Sequence, residues 1–231
     1  MPDAWVVLIA DLARDLARLV VPVACAGCGI DDTPLCESCS APWWEEPFRA
    51  EEGAGRLAVV GRSPLPVWAI AELDGPAHRA IGAWKDGRRR DLDPWFAAAM
   101  GRAARAVGPA LPRDADVCVV PVPSKPRSVR RRGVALSDVL ARAVARSLGR
   151  PTVAALRAQG GHSRGQSSVG RWDAAGVRVA RPIAPRAALL IDDVVTTGAT
   201  LARAADALEG AGSAVLGALV LAATPRRDVG R

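Results

Sequence analysis

Residues 188–200 constrain this chain more than any other stretch. Ala188-Leu189-Leu190-Ile191 is an unbroken apolar run, Asp192-Asp193 follows at its C-terminal end, and Val194 to Thr200 is a short Thr/Gly segment that opens a helical pattern. A continuous apolar run of this length reads as a strand buried on both faces. In sheets of that kind ligands gather at the strand C-termini, where the next loop and helix begin. The N–H groups of such a loop, with the helix N-terminus behind them, form an anion site suited to a phosphate. Gly198 lets a phosphate approach the backbone, and Thr196, Thr197 and Thr200 add hydroxyl donors. Two adjacent carboxylates only accept hydrogen bonds, which suits a vicinal diol. Acids beside a phosphate cradle repel bare phosphate, so the pattern fits a sugar bound through its hydroxyls and its 5′-phosphate together. The chain contains neither G-x-x-x-x-G-K-[ST] nor G-x-G-x-x-G, so a P-loop and a dinucleotide fold are not indicated.

The surrounding pattern supplies the sheet. Val117–Val120, Thr152–Leu156, Ala187–Ile191 and Ala214–Leu221 read as strands, alternating with helices at Leu136–Leu148 and Ala199–Leu208. That alternation predicts an α/β domain with a doubly wound parallel sheet. Upstream, Leu57–Val60 and Val67–Leu73 read as short strands. Asp74-Gly75-Pro76 opens a helix through about Trp84, and residues 94–107 form another. Residues 158–175 are polar and Gly-rich. Cys118 sits in an apolar strand and reads as a core residue. The expected division is 1–45 for an N-terminal helix and cysteine module, 46–56 for a linker within a 40–56 stretch rich in Pro, Gly, Glu and Trp, 57–224 for the main domain, and 225–231 for a basic tail.

Four of the five cysteines form two C-x-x-C pairs, Cys25/Cys28 and Cys36/Cys39. Pairs this close can bring four thiolates onto one tetrahedral zinc, and Gly27 and Gly29 let the first turn fold tightly. With all four positions filled by protein, the expected role is structural rather than catalytic. The alternatives are two disulfides, or reduced thiols without metal. Disulfides require an oxidising compartment. Residues 3–20 read as an amphipathic helix interrupted by charges, without the basic start and unbroken apolar run of an export signal. No membrane span is expected, and the expected compartment is the cytoplasm.

The 188–200 segment resembles the signature of type I phosphoribosyltransferases, which bind 5-phosphoribosyl 1-diphosphate (PRPP). Paired C-x-x-C motifs, then Lys85-Asp86-Gly87, then Val120-Pro121-Val122-Pro123 with Arg132-Gly133, then this signature, resemble in order the ComF (competence protein F) family over roughly residues 20–224. The resemblance implies a type I phosphoribosyltransferase fold behind a small four-cysteine zinc module. It also implies Mg-dependent transfer of a phosphoribosyl group to an acceptor with release of diphosphate, and in some members a link to DNA uptake or recombination. It assigns PRPP binding to Asp192, Asp193, Thr196, Thr197, Gly198 and Thr200, and diphosphate binding to Lys85, Lys125, Arg127 and Arg132. The Gly-rich loop, with Gln166 and Arg171, corresponds to a lid over PRPP. His162 in that loop is a candidate proton carrier, whereas His78 reads as a surface residue. The chain departs from the family where Arg-Gly-Phe-Asn-Gln is common and it reads Arg132-Gly133-Val134-Ala135-Leu136. It departs again where Arg-x-x-Asn is common and it reads Arg171-Trp172-Asp173-Ala174. Both changes remove polar side chains near the expected substrate region.

Net charge separates the competing functions less than it first suggests. The formal charge is +7, and Lys occurs only at 85 and 125, so the basicity is nearly all Arg. An anionic partner follows, with phosphates on a small molecule serving as well as a polymer. Besides the transferase, two other readings fit. One is a DNA-uptake accessory protein binding single-stranded DNA or competence proteins through Arg88–Arg90, Arg130–Arg132 and stacking by Trp43-Trp44. The other is a PRPP-responsive regulator without turnover. An oligomer is compatible with all three.

Overall fold

The computed structural model describes residues 23–57, 64–87, 89–112, 115–124, 129–130, 132–159 and 176–225. The helix expected at 3–20, Arg88, Lys125, Arg127, Arg131, His162, Gln166 and Arg171, and the tail beyond Pro225 lie outside them.

A five-stranded sheet organises the molecule. Its strands are β1 (Phe48–Arg49), β2 (Val67–Glu72), β3 (Val117–Pro121), β6 (Ala187–Val195) and β7 (Val215–Ala223), in the order β1-β2-β7-β6-β3. In this sheet only β1 is antiparallel; β2, β7, β6 and β3 run parallel. Alternate side chains of the central strands feed two cores. Val117, Val119, Leu189, Ile191, Leu219 and Leu221 face α2 (Gly75–Lys85), α3 (Asp93–Val107) and α4 (Leu136–Leu148), α1 being the short helix Glu37–Ser40. Cys118, Val120, Ala188, Leu190, Ala218 and Val220 face α5 (Ala199–Gly210). Both faces are covered, which is why these strands carry unbroken apolar runs instead of alternation. The architecture is the expected α/β fold with a mostly parallel sheet.

Three local readings are corrected by the structure. First, β6 does not stop at Ile191. It continues to Val195, pairing Asp192 with Val220, Val194 with Ala222 and Val195 with Ala223. The acids end the apolar run without ending the backbone ladder, because β7 continues beside them. Second, the strand read at Thr152–Leu156 shrinks to one parallel bridge, Thr152 to Val119. The chain then turns, with the Ala155 N–H donating to the Val153 carbonyl at 2.8 Å. Leu156–Ala158 (β4) instead pairs antiparallel with Val177–Val179 (β5), so the hairpin brackets the Gly-rich loop.

Third, residues 46–56 are structured. They contain β1 on the sheet edge and the start of the 3₁₀ turn Gly55–Leu57. Ala50, Ala54 and Leu57 are buried in the α5-side core. Small and polar residues suggested a linker there, but they serve close packing. Of the strand read at Leu57–Val60, Leu57 closes this turn and the remaining residues lie outside those described.

Candidate active site and metal centre

β6, the loop after it and α5 form one continuous strand–loop–helix. Gly198 sits at the α5 N-terminus with φ +78°, a left-handed conformation that favours glycine. A Cβ there would lie 2.5 Å from Leu57 Cγ and 3.1 Å from Ala54 Cβ. The loop is therefore backed by the 3₁₀ turn, whose Arg56 N–H donates to the Thr197 carbonyl at 3.0 Å. Thr196, Thr197 and Thr200 are exposed, and the first-turn N–H groups of α5 face the same loop. The Ala199 N–H meets a side chain there, Thr197 Oγ1 at 3.4 Å.

The two acids differ in surroundings. Asp192 Oδ1 accepts a hydrogen bond from the Asp193 N–H at 2.8 Å. Burial pushes the Asp192 carboxyl up to about 8, the neighbouring Asp193 charge adding to it and the Asp193 N–H and Lys85 opposing it. Part of Asp192 still reaches solvent, yet protein surrounds it closely enough for desolvation to dominate. Asp193 is paired: Lys85 Nζ lies 2.8 Å from its Oδ1.

Lys85 is the C-terminal residue of α2, and its carbonyl accepts from Arg132 Nη1 at 3.1 Å. The Arg132 carbonyl accepts from Arg90 Nη1 at 2.9 Å, while Arg90 Nε donates to Asp93 Oδ2 at 2.8 Å. Asp93 Oδ1 also accepts from Trp84 Nε1 at 2.7 Å. Lys85 and Arg132, distant in sequence, thus meet near the acid pair. The segment after β3 is held from two sides: the Val122 N–H donates to the Ile191 carbonyl at 2.9 Å, and its carbonyl accepts from the buried Ser137 hydroxyl at 2.7 Å. Sequence reading missed Ser137, because a serine in a first helical turn ordinarily reads as a surface residue. It also missed the Ala54–Leu57 turn behind Gly198, which has no motif of its own.

The four cysteine Sγ atoms lie within 4.8 Å of one another, with Cys28 and Cys36 Sγ 3.6 Å apart. A tetrahedral ZnS₄ centre with bonds of about 2.3 Å has edges of about 3.8 Å. All four cysteines are free of disulfides. Gly27 and Cys36 N–H groups point at Cys25 Sγ from 3.4 and 3.3 Å. Burial would raise the Cys25 thiol, but N–H groups of Cys36, Cys28 and Gly27 outweigh it and bring it down to about 6. Cys39 is pushed up by burial and by its thiol neighbours. The donor set and spacing fit a metal ion such as zinc, and all four ligand positions are protein sulfur.

The segment carrying both C-x-x-C pairs, the cysteine knuckle, is docked, not hung. Trp43 is fully buried, donates from Nε1 to the Cys39 carbonyl at 3.0 Å and packs edge-on against Phe96 and Trp95. It is a core residue and not a stacking platform, leaving Trp44 exposed beside Trp95. Arg89 and Arg90, read as part of a nucleic-acid patch, are engaged within the protein. His78 is exposed on α2.

The comparisons bear on this geometry. Residues 128–229 match the family model of the phosphoribosyl transferase domain. The match supports the type I phosphoribosyltransferase superfamily, and it spans β6, the loop after it and α5. No curated protein matches the chain. Among the described residues, no helix is long and apolar enough to cross a membrane.

Proposed function

We propose that this protein binds PRPP across the β6–α5 loop and transfers its phosphoribosyl group to an acceptor, releasing diphosphate. The observation that carries this reading is the meeting of Lys85 with Asp193 beside the positive-φ Gly198 loop. One site then offers carboxylates for a diol, N–H groups for a 5′-phosphate and a cation for a diphosphate. Asp192 and Asp193 accept from the ribose hydroxyls, and the 196–200 loop holds the 5′-phosphate. Lys85, released from Asp193 as the diol arrives, turns to the diphosphate with Arg132, Lys125 and Arg127. Gln166 and Arg171 belong to the lid that closes over it. The hard carboxylate oxygens suit magnesium, which when bound supplies charge neutralisation for the leaving diphosphate.

The order of motifs supports placement with the ComF family, and with it a cytoplasmic protein linked to DNA uptake. The DNA-binding reading has less behind it, since Trp43 is core and Arg89 and Arg90 serve internal contacts. The reaction is tested by incubating the protein with PRPP, Mg²⁺ and a cell metabolite extract, then measuring diphosphate and new phosphoribosyl products by mass spectrometry. Acceptor-dependent diphosphate release is expected. PRPP binding without any product would leave a regulator in place of a transferase.

A further inference from the structure

The loop after α2 joins the cysteine knuckle to the acid pair. Arg89 Nη1 donates to the Ala24 carbonyl at 2.6 Å and Nη2 to the Pro34 carbonyl at 3.0 Å, clamping the two chain segments that carry the first and second C-x-x-C pairs. Asp91 orients the guanidinium, 2.8 Å from Nη2 and 3.0 Å from Nε. A second tie runs from the middle of α2, where Arg79 Nε donates to the Gly27 carbonyl at 2.5 Å. α2 then ends at Lys85, 2.8 Å from Asp193. One helix and one loop therefore rest on the knuckle at one end and on the acid pair at the other.

A metal ion that gathers the four thiolates would fix the carbonyls of Ala24, Gly27 and Pro34 along with them. Structural metal sites of this size supply much of their own folding free energy. A planar guanidinium spanning two carbonyls transmits that order in a way a single ammonium cannot.

We propose that Arg89 is a positioning residue coupling the knuckle to Lys85, so that metal in the four-cysteine site and PRPP at Asp192/Asp193 bind cooperatively. The coupling rests on the PRPP reading above. Linkage requires it to be reciprocal: metal tightens PRPP binding, and PRPP tightens metal retention by the same factor.

The test uses the full chain loaded with zinc. Zinc affinity is measured by competition with a chromogenic chelator, with and without PRPP and Mg²⁺, and PRPP affinity by calorimetry. In the wild type PRPP should tighten zinc retention at least about fivefold, the lower end of usual coupling. In Arg89→Ala that factor should fall below about twofold, with zinc content and PRPP binding still measurable. Arg89→Lys, which keeps the charge and loses the fork, gives the same result if Arg89→Ala does not fold. Lys85→Met should abolish the coupling with the knuckle intact. Full coupling in the Arg89 variants, or PRPP binding that leaves wild-type zinc retention unchanged, overturns the proposal while the PRPP site stands. No PRPP binding by the folded wild type overturns both.

Discussion

The β6–α5 segment and the end of α2 with the loop after it meet at one carboxylate, Asp193, and are built in opposite ways. Residues 192–200 are contiguous: strand, acids, turn and helix N-terminus follow one another in the chain. The 85–93 loop takes its shape from residues scattered along the sequence, with Ala24 and Pro34 at one end, Arg132 in the middle and Asp193 at the other. An anion cradle made of backbone N–H groups can be specified locally. A lysine paired with Asp193 is placed by tertiary contacts, so its position depends on whatever holds those contacts. Breaking either region should leave distinguishable damage.

The largest effect is expected at the knuckle. Cys36→Ser, or zinc removal by a strong chelator, takes away a site worth on the order of 10 kcal/mol of apparent folding free energy. Elemental analysis should show one zinc per wild-type chain and less in the variant. Hydrogen exchange should rise in residues 23–45 and in 85–92 while the 192–200 segment stays protected. Protein purified without chelator and free of zinc would count against the site.

Gly198→Ala should do the reverse. An alanine there takes a left-handed φ and drives its Cβ into Leu57, 2.5 Å from Cγ. Strain and overpacking together should destabilise the fold by roughly 2–4 kcal/mol in urea denaturation, with zinc content unchanged. A variant as stable as wild type would mean that the loop is not backed by the 54–57 turn.

Ser137→Ala is expected to act more narrowly. It leaves the Val122 carbonyl without its buried donor, a loss of about 1–3 kcal/mol. Ser137→Thr should restore part of it. Equal stability in all three proteins would show that Val122 finds another partner.

The last effect is read as a pH slope and not as a single loss of stability. The Asp192 carboxyl is raised from 3.8 to about 8 in the folded chain. Between those values the folded state holds a proton that the unfolded chain has lost. Asp192 therefore favours folding most at pH below about 3.8, and that contribution fades as pH rises to about 8. Asp192→Asn should flatten this part of the stability profile for the empty protein. An identical slope in the variant would assign it to another group.

The same contrast explains what was legible in the sequence. The 188–200 segment could be read because its residue types, spacing and strand–loop–helix context all lie within one window. The cysteine cluster could be read because paired C-x-x-C spacing is itself a geometric statement. Arg89 could not be distinguished from its neighbours in the 88–90 run, because nothing local says that its partners are the carbonyls of Ala24 and Pro34. Residues 46–56 looked like a linker for a related reason: Ala50, Ala54 and Leu57 owe their burial to α5 and the sheet. The state of Asp192 was also hidden, since desolvation is a property of surroundings and not of a dipeptide.

The central claim is that Asp192, Asp193 and the 196–200 loop bind PRPP, and calorimetric titration with PRPP and Mg²⁺ tests it most directly. The double variant Asp192→Asn with Asp193→Asn is nearly isosteric. Its amide oxygen at position 192 can still accept from the N–H of residue 193, so the fold should persist. Charge-assisted hydrogen bonds are worth about 1.5–3 kcal/mol each. The double variant should therefore bind PRPP at least about tenfold more weakly than wild type. Equal affinity in the two proteins, or no binding by a folded, zinc-loaded wild type, would contradict the account.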